Sequence, residues 1–131
     1  MTGIIFSDLG QAASFMALEW VQASLKQCLG FSPFPATLNV RPKAAEDLQV
    51  WRRVQNEVVA LPLPPFDGGY CSAKIYRIGI LGAASKRLEG AVLVPEVRDY
   101  PHDKIEVVAP VRVKDHLGVS DGDTLTLEFI H

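Results

Sequence analysis

Apolar and polar positions alternate most cleanly near the end of the chain. Leu125, Leu127 and Phe129 fall on one side of a predicted strand over 124–129, and Thr124, Thr126 and Glu128 on the other. Similar runs, rich in β-branched and aromatic residues, predict strands over 70–81, 88–94 and 104–109, and a short one at Ile4-Ile5-Phe6. Thr37-Leu38-Asn39-Val40 is a further strand-like run. The spacing changes to three and four residues at Leu18, Val21, Leu25 and Cys28, which predicts a helix with Ser14 as N-cap and Gly30 as its stop. A second helix is expected over 42–59, starting near Pro42 or Lys43, with Leu48, Trp51, Val54 or Gln55, and Val58 on its buried stripe. Residues 61–69, 82–86, 96–103 and 119–123 read as loops and turns, and Val111–Leu117 as a helical turn. There is no βαβ rhythm. Short strands bounded by turns, with one or two helices inserted early, point to a mainly β protein built as a small β-barrel.

Composition narrows the class without changing that picture. The 131 residues suit a single domain spanning 1–131, and 48% apolar with 21% charged residues describe an ordered chain with a real core. A net charge of −2 gives no basic footprint, so no nucleic-acid partner is expected. Cys28 and Cys71 lack metal-site or disulfide-framework spacing and read as thiols in a reducing compartment. Met1–Gly10 has neither the basic start nor the apolar run of a signal peptide, and no stretch approaches a membrane span. The expected location is the cytoplasm.

Candidate chemistry gathers in a few places. Gly30-Phe31-Ser32-Pro33-Phe34-Pro35-Ala36-Thr37-Leu38-Asn39-Val40 follows a helix stop with two prolines that keep the backbone extended. Residues two apart on a strand share a face, so Thr37 and Asn39 present a hydroxyl and a carboxamide side by side. They are either the polar face of an ordinary strand or oxygen ligands for a hard cation such as Mg2+. Gly10-Gln11-Ala12-Ala13-Ser14 is either a connector or a small-residue loop that can hold phosphate. Glu106 sits among apolar residues in a strand and either faces solvent or addresses a ligand. Arg112 and Lys114 just beyond it can neutralise phosphate or simply be solvated. Trp51 reads as a core anchor. His102, His116 and His131 lack paired zinc spacing, and Asp121-Gly122-Asp123 reads as a tight turn.

Three segments in order, GQAASF, GFSPFPATLNV and LEGAVLVPEVRDYPHDKIEVVAPVRVKDHLGVSDGDTL, resemble the CTP-dependent riboflavin kinases of archaea and their bacterial relatives. The resemblance spans nearly the whole chain and is weakest over 43–77. It implies a six-stranded cradle-loop β-barrel that phosphorylates riboflavin with CTP, giving FMN and CDP, with Mg2+ as cofactor. It further implies that the nucleotide is held by Asp8, Leu9, Gly10, Gln11, Ala12 and Ala13 and by Val111, Arg112, Val113 and Lys114. By the same resemblance Thr37 and Asn39 hold magnesium, Arg98 and Glu106 meet the flavin, and Glu106 orients the acceptor hydroxyl as its catalytic carboxylate.

The chain departs from the family pattern at specific points. Ala12 stands where a second loop glycine is usual, Ala36 replaces the glycine of PGTLN, Ala13 replaces a basic residue of some archaeal loops, and Arg98 replaces a flavin-binding threonine. These changes motivate an alternative: a non-catalytic or re-purposed barrel that binds a different nucleotide or a flavin- or pterin-like ligand. A DNA-binding barrel of related topology is disfavoured by the absence of a basic face.

Overall fold

The predicted alternation builds one continuous sheet that curls until its ends meet. The structure, a computed structural model, describes residues 1–8, 12–64, 72–82 and 86–130. Its strands are β1 (Thr2–Phe6), β2 (Leu38–Pro42), β3 (Leu61–Leu63), β4 (Ala73–Leu81), β5 (Arg87–Pro95), β6 (Ile105–Val108) and β7 (Thr124–Phe129). They run in the order β3-β4-β5-β6-β2-β1-β7, all pairs antiparallel, and β7 pairs back onto β4. Six strands therefore close into a barrel. The seventh, β3, shares the edge of β4 with β7: Leu61–Leu63 pairs with Ala73–Ile75, and Phe129–Thr126 with Ile78–Leu81. Closure removes the open sheet edges that would otherwise invite association.

Because successive side chains point to opposite faces, the barrel wall sorts its apolar residues into two cores. Ile5, Leu38, Val40, Tyr76, Ile78, Ile80, Val92, Ile105, Val107, Leu125 and Leu127 form the inner one. Leu63, Ala73, Ile75, Ala91, Leu93 and Val108 face outward, against helices α1 (Ala12–Met16) and α2 (Glu19–Leu29). Helix α3 (Ala45–Glu57) contributes Trp51 and Val54 to the inner core, where the indole stacks on Phe129 at 5.5 Å and meets Tyr76 edge-on at 5.7 Å. Helix α4 (Val113–Leu117) is the expected helical turn and ends at Gly118 in a left-handed conformation. No helix among the described residues is long and apolar enough to cross a membrane.

Four local expectations are revised. The first helix is broken in two: Ser14 lies inside α1, and extended Leu18 starts α2 without a side-chain cap. The buried stripe of α2 is Val21, Leu25 and Leu29, while Cys28 is only half-buried. Gly30 does end that helix, at φ 83°, and Arg77 donates to the terminal carbonyls of Cys28 and Leu29. Pro42 belongs to β2 rather than to the start of α3, because Lys43 N–H still bonds Thr2 across the ladder. The loop expected over 61–69 begins with a strand, since Pro62 needs no ladder donor at the sheet margin. Cys71 and most of that loop lie outside the described residues.

Candidate functional site

The register of β2 against β6 places Asn39 directly opposite Glu106, and Leu38 opposite Val107. Since Leu38 and Val107 enter the inner core, Asn39 and Glu106 share the outer face of the wall. Glu106 is buried, at 8% exposure, which a carboxylate tolerates only with hydrogen-bond donors around it. It has two. Thr37 Oγ1 donates to Glu106 Oε1 at 3.3 Å, and the Tyr100 hydroxyl donates to Oε2 at 2.5 Å. Beside them Asn39 Oδ1 is buried with no hydrogen-bond partner among the described residues. An orphaned carboxamide oxygen costs about 1–3 kcal/mol, and it is open to any donor or cation that reaches it. A hard cation is one group whose chemistry fits such an oxygen, and the Thr37 hydroxyl, which gives its proton to Glu106, keeps lone pairs that can serve the same kind of ion.

Tyr100 reaches Glu106 from the β5–β6 connection. Burial, followed by the hydrogen bond to Glu106 and the charges of Glu106 and Asp8, pushes its phenol well above the ordinary range. The phenol therefore keeps its proton and acts as a donor. Lys104 Nζ lies 5.8 Å from the centre of the same ring and pairs with Asp8 Oδ2 at 2.6 Å. Polar contacts thus run from Asp8, past the end of β1, through Lys104 and Tyr100 to Glu106 and Thr37.

On the other side of Thr37 a cleft of about 150 Å³ opens between two chain segments. Phe34, Ala36, Thr37 and Leu38 form one wall; Val107, Ala109 and Val111 to Lys114 form the other. The walls are joined where Phe34 N–H bonds the carbonyl of Ala109, just before Pro110. The 30–40 segment is not extended throughout as expected: it bends at Pro35-Ala36, where Ala36 N–H bonds the Phe34 carbonyl, before it enters β2. Lys114 Nζ pairs with Asp121 Oδ1 at 2.9 Å, and Ser7 donates to the other oxygen of that carboxylate. These two donors hold the Asp121 carboxyl below its ordinary range. Arg112 pairs with Asp115 at 2.6 Å and is well exposed.

The fold thus assembles Thr37, Asn39 and Glu106 on one face, with Val111, Arg112, Val113 and Lys114 around the adjoining cleft. Asp8 joins through Lys104, while Ala12 and Ala13 open α1. Leu9, Gly10 and Gln11 lie outside the described residues. Arg98 is exposed two residues before Tyr100 and makes none of the hydrogen bonds or ion pairs that connect this group. Tyr100, Lys104 and Asp121 were not expected from the sequence, which reads the first within a polar loop, the second as a strand start and the third as a turn. Asp121-Gly122-Asp123 is that turn, with Gly122 at φ 91° and Ser120 N–H bonded to Asp123. The signal available in the sequence for the others was slight: a tyrosine next to a proline, and a lysine opening a strand.

Residues 5–129 match the family model CTP-dep_RFKase, described as a domain of unknown function, DUF120. The chain is also similar to curated archaeal proteins named riboflavin kinase. That of Pyrobaculum arsenaticum is 36% identical, with 99% of this chain and 60% of that protein aligned. That of Pyrobaculum calidifontis is 37% identical over 98% of this chain and 58% of the relative. That of Archaeoglobus fulgidus is 33% identical over 98% and 53%. The chain spans between half and two thirds of the length of these relatives.

Proposed function

We propose, for a chain that belongs to the CTP-dependent riboflavin kinase family, that it transfers the γ-phosphoryl group of CTP to the ribityl hydroxyl of riboflavin, giving FMN and CDP. The observation that carries this reading is the convergence of Thr37, Asn39 and Glu106 on one face of the barrel, beside a cleft lined by 111–114. Phosphoryl transfer asks a protein mainly for positioning and for charge stabilisation. Glu106, a buried carboxylate held by two hydroxyls, accepts the hydrogen bond of the riboflavin hydroxyl and takes its proton as transfer proceeds. Arg112 and Lys114 offset phosphate charge from the far wall, each exchanging a carboxylate partner for a phosphate oxygen.

Thr37 and Asn39 fit a divalent cation of the Mg2+ type, because both offer neutral oxygens and Asn39 Oδ1 has no other partner. When bound there, Mg2+ neutralises phosphate charge and orients the nucleotide. Asp8 to Ala13 form the remaining nucleotide contact in this reading, and Arg98 flanks the flavin. The protein acts on small molecules, and its expected location is the cytoplasm.

Ala36 supports a second reading. Its methyl group lines the cleft where the family pattern has glycine, which narrows the wall next to Thr37 and suits a re-purposed site for another phosphorylated ligand. One assay separates the two. Riboflavin is incubated with Mg2+ and either CTP or ATP, and FMN is quantified. FMN formed with CTP, and lost on chelation, is the expected result. FMN with ATP alone overturns the donor assignment, and no FMN from folded protein favours the second reading.

A further inference from the structure

We infer that Tyr100 is a positioning residue for the reaction, holding the Glu106 carboxylate in the one orientation that meets the substrate hydroxyl. The inference rests on the kinase reading above and adds a residue to it. A glutamate carboxylate, at the end of three rotatable bonds, has no fixed aim by itself, and its two oxygens are chemically equivalent. Here they are made different. Oε2 receives the Tyr100 hydroxyl at 2.5 Å, whereas Oε1 receives only the long 3.3 Å contact from Thr37. Each oxygen can accept twice and has one acceptance left, and the long contact leaves Oε1 the less saturated of the two and the better acceptor for a substrate hydroxyl.

Tyr100 is itself held in place. Its ring is mostly covered, Lys104 lies against it at 5.8 Å, and the 2.6 Å ion pair from Lys104 to Asp8 ties that side of the β5–β6 connection to the end of β1. Its phenol stays protonated across the working pH range, so it cannot compete with Glu106 as a proton acceptor. Asp8 also belongs to the segment assigned to the nucleotide. The same contacts therefore aim the acceptor carboxylate from the nucleotide side of the site.

A double-mutant cycle tests the assignment: wild type, Tyr100→Phe, Glu106→Gln and the double variant, each assayed for FMN formation with CTP and Mg2+. Phe keeps the ring and its packing and removes only the donor. The expected result for Tyr100→Phe is a kcat lowered about 10- to 100-fold, the size of a lost charge-assisted hydrogen bond, with riboflavin KM changed less than about threefold. In the Glu106→Gln background the same change should cost almost nothing further, since there is no carboxylate left to aim. A merely structural role predicts additive losses and a lowered melting temperature instead. Additive losses, or an unchanged kcat in Tyr100→Phe, overturn the inference while leaving the kinase reading intact. A wild type that makes no FMN overturns the kinase reading and this role with it.

Discussion

In the proposed reading, Asn39 concentrates the conflict between stability and function in a single atom. Its Oδ1 is buried without a hydrogen-bond partner among the described residues, in a wall whose other positions are well packed or well bonded. An unpaired acceptor destabilises the fold, so removing it leaves stability nearly untouched. Asn39→Ala is therefore expected to unfold within about 1 kcal/mol of wild type in metal-free buffer, although a hydrogen-bonded buried Asn would cost more. It is also expected to lose both Mg2+-dependent FMN formation and any rise in melting temperature that Mg2+ gives wild type. Thermal melts with and without Mg2+ check both halves. A variant that keeps full Mg2+-dependent turnover removes Asn39 from the proposed metal site.

At the scale of elements, what the sequence made legible follows from burial. Strand β7 announced itself because one face is core and period two then shows in the residue types, whereas β4 and β5, covered on both faces over much of their length, showed as runs of apolar and β-branched residues. The break between α1 and α2 did not. A straight helix would set Met16 and Val21 about 140° apart around its axis, yet both are fully buried in the outer core. Extended Leu18 reorients the chain so that both reach the sheet, and no local residue preference encodes that demand. Thr37, Asn39, Glu106, Arg112 and Lys114 could be singled out because polar groups flanking or interrupting apolar strands stand out. Tyr100 and Lys104 could not, because their meaning lies in a register between β6 and a loop. A close approach of β5 to β6 is also invisible in one dimension. At Gly90 on β5 a methyl group would run into the carbonyl oxygen of Val108 on β6 and the side chain of Ile80. Gly90→Ala is expected to lower stability by about 1–3 kcal/mol as overpacking does, read as a shifted urea midpoint with an unchanged slope. Because β6 carries Glu106, the loss should be accompanied by weaker FMN formation.

For the whole molecule, barrel closure brings together groups far apart in sequence, and it also sets how stability depends on pH. Tyr100 lies over the outer wall and Tyr76 lies in the inner core, and burial is the leading cause that raises both phenols in the folded chain. The second cause differs: the hydrogen bond to Glu106 for Tyr100, and the charge of Glu96 for Tyr76. Below the ordinary phenol value of 10.0 both folded and unfolded chains hold these protons, so neither tyrosine gives stability a slope. Above it the unfolded chain releases them first. The folded state then binds more protons than the unfolded one, and stability must fall as pH rises. Comparing urea midpoints at about pH 8 and about pH 11 should show that loss in wild type, and a smaller one in Tyr100→Phe, whose phenol proton is gone from both states. Groups common to the two proteins cancel in the comparison. An equal loss in both would mean that Tyr100 ionises as freely in the folded chain as in the unfolded one, and the buried contact between Tyr100 and Glu106 would then not persist in solution.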